Sequence, residues 1–323
     1  MSSAVGVAYG RWMTARQSAI LGFLGAMFGA SFLYMRVAAP ELGPWVVAFV
    51  RVGLAAVLLA FVVRGSGLRA VARDWKPLLF LGAVNSALPF GMYAFAEQTI
   101  DASLAAILNA LTPATMAVAS ALWLAQPLTT RKVVGIVIGV GGVATVVGLG
   151  HVESTVASAV AIGACLLAVT GYAIGFTFAR RRLPHLDPIT ISFGQSLWAA
   201  VVLLPGAALT LPTTPVAIEV VLALVALATF STAIAWPLLF KLVAAVGPTA
   251  SSTVTLLAPA FGIVWGALVL GESIGPTLLL GAGLILISVT LIVGLDPRAL
   301  LGRVVDRLWM TVPGTLTKIE SRG

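Results

Sequence analysis

Long apolar runs alternate along the chain with short polar segments. Each run holds about 20 residues, and a helix rising about 1.5 Å per residue needs that many to cross a hydrocarbon core of about 30 Å. Strands of a membrane barrel would be about half as long and would alternate in polarity, which these runs do not. The pattern therefore predicts ten transmembrane helices, near residues 18–38, 44–63, 77–97, 102–125, 132–150, 155–179, 188–210, 216–240, 248–270 and 275–295.

Composition agrees with that pattern. Of the 323 residues, 60% are hydrophobic and 9% are charged, whereas soluble domains average about 25% charged residues. The net charge is +8, but the cations do not form a basic stripe interleaved with aromatic residues, so we expect membrane lipid and no nucleic acid as a partner. The single cysteine, Cys165, excludes an intramolecular disulfide. The predicted fold class is an all-α polytopic membrane protein.

The positive charges define one side of the predicted topology. With a cytoplasmic N-terminus, all 19 lysines and arginines fall in cytoplasmic segments except Arg36, on the opposite side, and Arg51, inside a span. Short cytoplasmic loops of membrane proteins are enriched in lysine and arginine. We therefore expect both termini to face the cytoplasm.

The second half of the chain repeats the first. Residues 109–142 align with residues 255–288, 146 positions later, so that Pro113 meets Pro259. Five spans per copy is an odd number, so the second copy enters the membrane from the opposite side. Inverted repeats are common in secondary transporters, where the substrate binds near the membrane midplane between the halves. The symmetry thus favours a transporter with alternating access over an enzyme.

Two sets of residues resemble the EamA repeat of the drug/metabolite transporter (DMT) superfamily. They are Leu111, Thr112, Pro113, Gly135 and Gly142 in the first copy, and Leu257, Ala258, Pro259, Gly271, Glu272 and Gly281 in the second. Arg51 resembles the arginine that family members often carry in the second helix. The chain departs from the usual repeat at Ala125 and Gln126, which stand where the repeat has Gly-Glu, and at Gln195, the counterpart of Arg51.

The resemblance covers about residues 18–295 and implies a ten-helix carrier built from two inverted five-helix EamA repeats. It further implies export of amino acids or related small metabolites across a bacterial inner (plasma) membrane, and aromatic amino-acid exporters of the YddG type are among the relatives. The expected organisation is a cytoplasmic N-terminal segment at 1–17, repeats at 18–150 and 151–295, and a basic cytoplasmic tail at 296–323.

Arg51 is the first candidate for substrate binding. It lies well inside its span, seven residues after Pro44, where a guanidinium is costly unless it meets water, a carboxylate or carbonyl groups. One interpretation is a contact for an anionic substrate group such as a carboxylate. The other is a structural arginine that bonds to carbonyls of neighbouring helices or extends toward the interface.

Other candidates stand at equivalent positions of the two copies or on the same helices. Asn85 is equivalent to Ser231, and Asn109 to Thr255. For Asn85 and Ser231 the alternative role is a hydrogen bond between helices, worth about 0.6 kcal/mol in membranes. Aromatic side chains would wall the cavity, or else pack against helices and lipid. The full set predicted to bind substrate is Arg51, Asn85, Tyr93, Asn109, Tyr172, Ser231, Trp236 and Thr255.

Prolines and glycines indicate where the helices bend and pack. Pro113 and Pro259 lack an N–H and free a carbonyl near the membrane centre, so they are predicted hinges, or alternatively static kinks. Gly135, Gly139 and Gly142 allow a close helix contact, either within the chain or at a homodimer interface.

The acidic residues limit the mechanism. No span contains paired carboxylates, a histidine cluster or a Ser/His pair, so no catalytic residue, metal or cofactor is predicted, and an intramembrane lipid-modifying enzyme is the weaker hypothesis. Glu97, Asp101 and Glu272 fall at span ends, whereas proton relays usually lie within the membrane. A uniporter or facilitator, a proton-coupled drug efflux carrier and a channel remain as alternatives.

Overall fold

The computed structural model describes residues 15–124, 128–148, 155–242 and 254–293, which form helices joined by short connections, with no strand among them. Several predictions fall outside these residues: the segment before residue 15, Gln126, the loop around His151 and the tail 296–323. The backbone of Thr255 is helical, but its side chain also lies outside the described part.

The first helix, α1 (Ala15–Ala60), is interrupted in its middle. Gly43 has φ 73° and ψ 162°, a left-handed conformation that glycine adopts without the steric cost of a Cβ. Pro44, which follows it, cannot donate a backbone hydrogen bond. The helix therefore consists of two arms, 15–42 and 44–60, which correspond to the first two predicted spans.

Ten further helices complete the described chain. They are α2 (Gly65–Arg73), α3 (Trp75–Ala96), α4 (Ala102–Asn109), α5 (Thr112–Leu124), α6 (Thr130–Gly148), α7 (Val156–Arg182), α8 (Pro188–Leu209), α9 (Ile218–Leu242), α10 (Val254–Leu270) and α11 (Pro276–Val293). By length and composition, six helical segments can cross a membrane: Ala19–Ala60, Trp75–Ala96, Ala102–Trp123, Val156–Arg182, Pro188–Leu209 and Ile218–Leu242. The all-helical membrane fold is thus confirmed, and the count of ten spans stays a prediction.

The two halves share a local irregularity. A π-helical turn interrupts α3 at Ala83–Ala87 and α9 at Thr229–Ile234, and these turns contain the equivalent pairs that begin with Asn85 and Ser231. A proline, Pro89 or Pro237, follows each turn and removes one donor from the helical ladder. Such turns occur often at functional sites.

The repeats differ around their equivalent prolines. Pro113 is the second residue of α5, after a break at residues 110–111 that separates α4 from α5. Proline is well tolerated in a first helical turn, where its missing N–H would have no partner. Pro259 instead lies inside the continuous helix α10. A broken helix is a recurrent feature of transporter binding sites, and only the first repeat has it here among the described residues.

The glycine stripe of α6 packs within the chain. A Cβ added to Gly135 would lie 2.9 Å from the carbonyl oxygen of Ser288, and one on Gly142 would lie 3.0 Å from that of Gly281. The backbones of α6 and α11 therefore approach too closely for any side chain. Of the two alternatives predicted for these glycines, this is the contact within the chain; a homodimer stays a prediction.

Candidate functional site

A cavity of about 510 Å³ lies between the two halves, within the range of about 300–1,000 Å³ typical of small-molecule sites. Helices of both halves contribute to its wall. The first half supplies Phe28, Ser31, Phe32, Met35, Arg51, Phe90, Tyr93, Asn109, Thr112, Pro113 and Met116; the second supplies Tyr172, Phe176, Thr177, Ala179, Arg180, Leu183, Pro184, Leu186, Pro188, Ile191, Trp236, Leu239, Phe240, Val254 and Ala258.

The cavity runs from the protein interior to one surface. Its wall includes the exposed residues Arg180 and Pro184, at the connection between α7 and α8. We call this side the open end; the predicted topology assigns it to the cytoplasm. Arg51 and Tyr93, which are almost fully buried, lie at the interior part of the wall.

Polar contacts hold the connection at the open end. Asp74 accepts a hydrogen bond from Arg73 at 2.8 Å and lies 3.0 Å from Nε2 of His185. The Arg73 guanidinium holds the pKa of Asp74 below its ordinary value, with a further contribution from His185. Asp187 caps α8 by accepting from the backbone N–H groups of Ile189 and Thr190. This connection therefore has a defined position beside the cavity.

Among the described residues, the direct contacts of the Arg51 side chain are to neutral groups. Its Nε donates to the Thr232 hydroxyl at 3.0 Å, Nη1 lies 3.4 Å from the Met35 sulfur, and its Cζ lies 3.6 Å from the centre of the Phe90 ring. Thr232 in turn donates to the carbonyl of Leu227 at 3.0 Å, which directs an oxygen lone pair toward the guanidinium. Among the described residues Arg51 makes no ion pair, although its side chain is 3% exposed. The cavity wall thus contains a buried positive charge that makes no ion pair among the described residues.

Aromatic rings from both halves surround that charge. Phe90 and Tyr172 have ring centres 6.4 Å apart, Tyr93 stacks on Tyr172 at 6.4 Å, and Phe176 stacks on Trp236 at 5.7 Å. The Tyr93 hydroxyl donates to Oδ1 of Asn109 at 3.0 Å. These rings offer flat apolar faces beside one strong hydrogen-bond donor, an arrangement suited to an organic acid or a similar solute.

The opposite side, which we call the closed end, is held by one set of contacts across the halves and by another within the first half. Glu272, before α11, accepts from the backbone N–H groups of Ala102 at 2.8 Å and Ser103 at 3.1 Å, and from the Ser103 hydroxyl. Arg36 donates to the Glu97 carbonyl and lies 3.9 Å from Asp101. The N-terminus of α4 is thereby capped by a carboxylate of the other half.

Most sequence-predicted site residues meet in the cavity. Arg51, Tyr93, Asn109, Tyr172, Trp236 and Pro113 line it. Asn85 does not; its Nδ2 donates to Oε1 of Gln195 at 3.0 Å. Ser231 donates to the carbonyl of Met27 at 2.7 Å, and Pro259 is buried beside the lining residue Ala258. The substrate roles of Asn85 and Ser231 stay predictions, and their contacts here are between helices.

Sequence reasoning missed several residues of the site. Thr232 orients Arg51, Met35 contacts it, and Phe90 covers its face. Thr232 stands beside Ser231 in an equivalent polar pair, so the repeat pointed to its neighbourhood but not to the side chain that contacts Arg51. Glu97, expected at a span end, is 0% exposed, and neither of its carboxylate oxygens has a hydrogen-bond partner among the described residues.

We expect Asn85→Ala to lower the melting temperature without changing substrate affinity. Asn85 is 1% exposed and packs against Gly175 of α7, and its loss leaves Gln195 without a buried partner, at a cost of about 1–3 kcal/mol. Thermal unfolding and substrate titration of the purified protein separate the two effects. Ser231→Ala is the matched control at the equivalent position. A weaker substrate affinity at unchanged stability would instead support direct binding by Asn85.

Comparison with known proteins identifies the family. The model of the EamA-like transporter family matches residues 17–148 and 159–294. An uncharacterized transporter of Bacillus subtilis, YvbV, is 25% identical over 283 residues, 86% of this chain and 91% of that protein. An uncharacterized transporter of Archaeoglobus fulgidus is 22% identical over 274 residues, 85% of this chain and 97% of that protein. A crystal structure with a TM-score of 0.63 and 17% identity, covering 90% of this chain and 99% of that chain, shares the fold. The chain belongs to the EamA-like transporter family, and it is a membrane transporter of the DMT superfamily rather than an enzyme.

Proposed function

We propose that this transporter exports amino acids or related small metabolites by alternating access, with ten transmembrane helices arranged as two inverted halves in a bacterial inner membrane. The two halves are residues 18–150 and 151–295, and both termini face the cytoplasm. In this arrangement the open end faces the cytoplasm, from which the cavity takes up its substrate.

The observation that carries the proposal is the buried Arg51 inside an aromatic cavity that is sealed at one end. A charge in the membrane interior is costly and marks a substrate pathway or a paired site, and Arg51 has no acidic partner among the described residues. A substrate carboxylate would supply that partner through paired N–H···O bonds. The ring faces of Tyr172 and Trp236 would contact the remainder of the solute.

Alternating access is supported by the repeat and by the unequal ends of the cavity. An inverted repeat gives two states of related structure, one opened by each half. The described contacts close one end, through Glu272 and Arg36, and leave exposed residues at the other. A channel would need both ends to be open at once.

Counterflow in proteoliposomes tests the proposal. Vesicles loaded with an unlabelled solute should transiently accumulate the same radiolabelled solute, and uptake should saturate. The panel contains amino acids, aromatic acids, nucleobases and sugars, and empty vesicles serve as the control. If the protein exchanges no solute of the panel although its thermal unfolding curve shows that it is folded, the proposed substrate class is wrong. Conductance without saturation would indicate a channel instead.

A further inference from the structure

We propose that the cavity selects substrates of net negative charge: aromatic or other flat apolar carboxylates that lack an ammonium group, in preference to zwitterionic amino acids. This inference rests on the proposed transport function and narrows its substrate class. It follows from the balance of donors, acceptors and charges in the cavity wall.

Two side chains of the wall only donate, and they keep N–H groups without an acceptor among the described residues. Arg51 uses its Nε on Thr232 and places Nη1 near a weakly accepting thioether sulfur, so its guanidinium retains N–H groups for a ligand. Trp236 lines the cavity, is 4% exposed, and its Nε1–H has no acceptor among the described residues. Indole nitrogen only donates. A carboxylate, which only accepts, complements the Arg51 guanidinium.

The wall offers no comparable partner for a substrate ammonium. Among its described residues there are two arginines, Arg51 and Arg180, and no aspartate or glutamate. The side-chain oxygen of Asn109 already accepts from the Tyr93 hydroxyl. The carboxyl of Glu97 is buried one helical turn after the lining residue Tyr93. Glu97 itself is not part of the wall. An ammonium entering the cavity would lose its hydration without gaining a counter-charge.

The aromatic face next to Arg51 is not free to attract an ammonium. A ring face attracts a cation, but the Phe90 face is already covered by the Arg51 guanidinium at 3.6 Å. An α-amino acid bound by its carboxylate to Arg51 would hold its ammonium only two bonds away from that carboxylate, in the field of the same guanidinium. Like charges repel most strongly where water is excluded. A substrate without the ammonium avoids this cost.

The charge at the open end acts in the same direction. Arg180 lines the cavity where it reaches the surface, and Arg181 and Arg182 follow it at the end of α7. A cluster of one sign at the mouth of a cleft raises the local concentration of oppositely charged solutes. Anions are therefore favoured both at entry and at the interior site.

Three probes that share one ring and differ only in charge test the inference: 3-phenylpropanoate, phenylalanine and 2-phenylethylamine. The first lacks the amino group of phenylalanine, and the third lacks its carboxylate. We expect 3-phenylpropanoate to bind at least about tenfold more tightly than phenylalanine, which corresponds to about 1.4 kcal/mol in binding free energy. We expect 2-phenylethylamine to bind least tightly of the three. Thermal stabilisation and counterflow of the purified full-length protein are the readouts.

Asn109→Asp provides a matched variant with one added negative charge in the wall and nearly unchanged shape. We expect the preference for 3-phenylpropanoate over phenylalanine to fall at least about fivefold, because the new carboxylate offers a partner to the ammonium. Asn109→Ser, which shortens the side chain without adding charge, should retain the wild-type order.

The outcomes separate this inference from the proposed function. Exchange of phenylalanine in preference to 3-phenylpropanoate by the wild type would overturn the inference and leave the carrier function intact. A preference for 3-phenylpropanoate over phenylalanine that keeps its wild-type size in Asn109→Asp would overturn its electrostatic basis. Failure of every solute in the larger panel would instead remove the proposed function on which the inference rests.

Discussion

Replacement of Arg51 by glutamine is expected to lower substrate exchange at least about tenfold while leaving the melting temperature equal to, or above, that of the wild type. A charge-assisted hydrogen bond contributes about 1.5–3 kcal/mol, and about 1.4 kcal/mol corresponds to a factor of ten in affinity. Glutamine is shorter than arginine and uncharged, so an anionic substrate loses its main partner.

The melting temperature of Arg51→Gln should not fall with its activity, because the contacts that the wild-type arginine makes are to neutral groups. In this state it contacts Thr232, Met35 and the Phe90 ring, all neutral, and it is 3% exposed. A buried charge without a counter-ion costs free energy of folding, so its removal relieves a cost rather than breaking an ion pair. Substitution of a residue that serves function rather than folding commonly lowers activity while stability is retained.

Two control variants make the experiment specific. Arg180→Gln removes an exposed cation at the open end and should change exchange only modestly, and less at high salt. Thr232→Val removes the hydroxyl that orients Arg51 and should weaken exchange less than loss of the guanidinium itself. Counterflow is normalised to folded protein from thermal unfolding. A lower melting temperature with unchanged exchange per folded molecule would show that Arg51 is a structural residue.

Much of the fold could be predicted because helices that lie in lipid need long apolar runs, which are easy to recognise in a sequence. Apolar runs, charge placement and internal repetition together gave a helical membrane protein with related halves. Arg51 indicated the position of the cavity for a related reason. An isolated charge within an apolar run is costly unless it meets water, a carboxylate or carbonyl groups. Tyr93, Tyr172 and Trp236 followed from the repeat and from shared helices, and all three line the cavity with Arg51.

The remaining features depend on lateral packing, which hydropathy does not record. A position along a span gives depth in the membrane but not which side of the helix faces a neighbour, so the sequence could not show that Tyr93 lines the cavity and Asn85 does not. Glu97 lies at the end of its span as expected, yet tertiary packing leaves it fully buried. Glu272 caps a helix through Ala102 and Ser103, which lie 170 and 169 positions away along the chain. A local sequence pattern cannot predict a contact over such a distance.

Loss of the Glu272 carboxylate is expected to open the closed end. Glu272 accepts three hydrogen bonds at the N-terminus of α4, from the backbone of Ala102 and Ser103 and from the Ser103 hydroxyl, and Asp101, the residue in the cap position, makes no side-chain cap bond. A carboxylate is favoured there by the helix dipole. Glu272→Ala removes all three acceptor contacts, at a cost to the closed state of about 3 kcal/mol, which corresponds to about a hundredfold change in the equilibrium between states.

The single cysteine provides a native reporter of this change. Cys165 lies in α7, is 0% exposed, and belongs to the same apolar cluster as Leu104 and Leu108 of α4, so it should react slowly with a maleimide in the wild type. In Glu272→Ala we expect labelling to accelerate at least about tenfold, because moving α4 away uncovers the thiol. Glu272→Gln keeps an acceptor oxygen without the charge and should give an intermediate rate. Equal labelling rates in all three proteins, at equal melting temperatures, would show that the Glu272 cap does not hold this end closed.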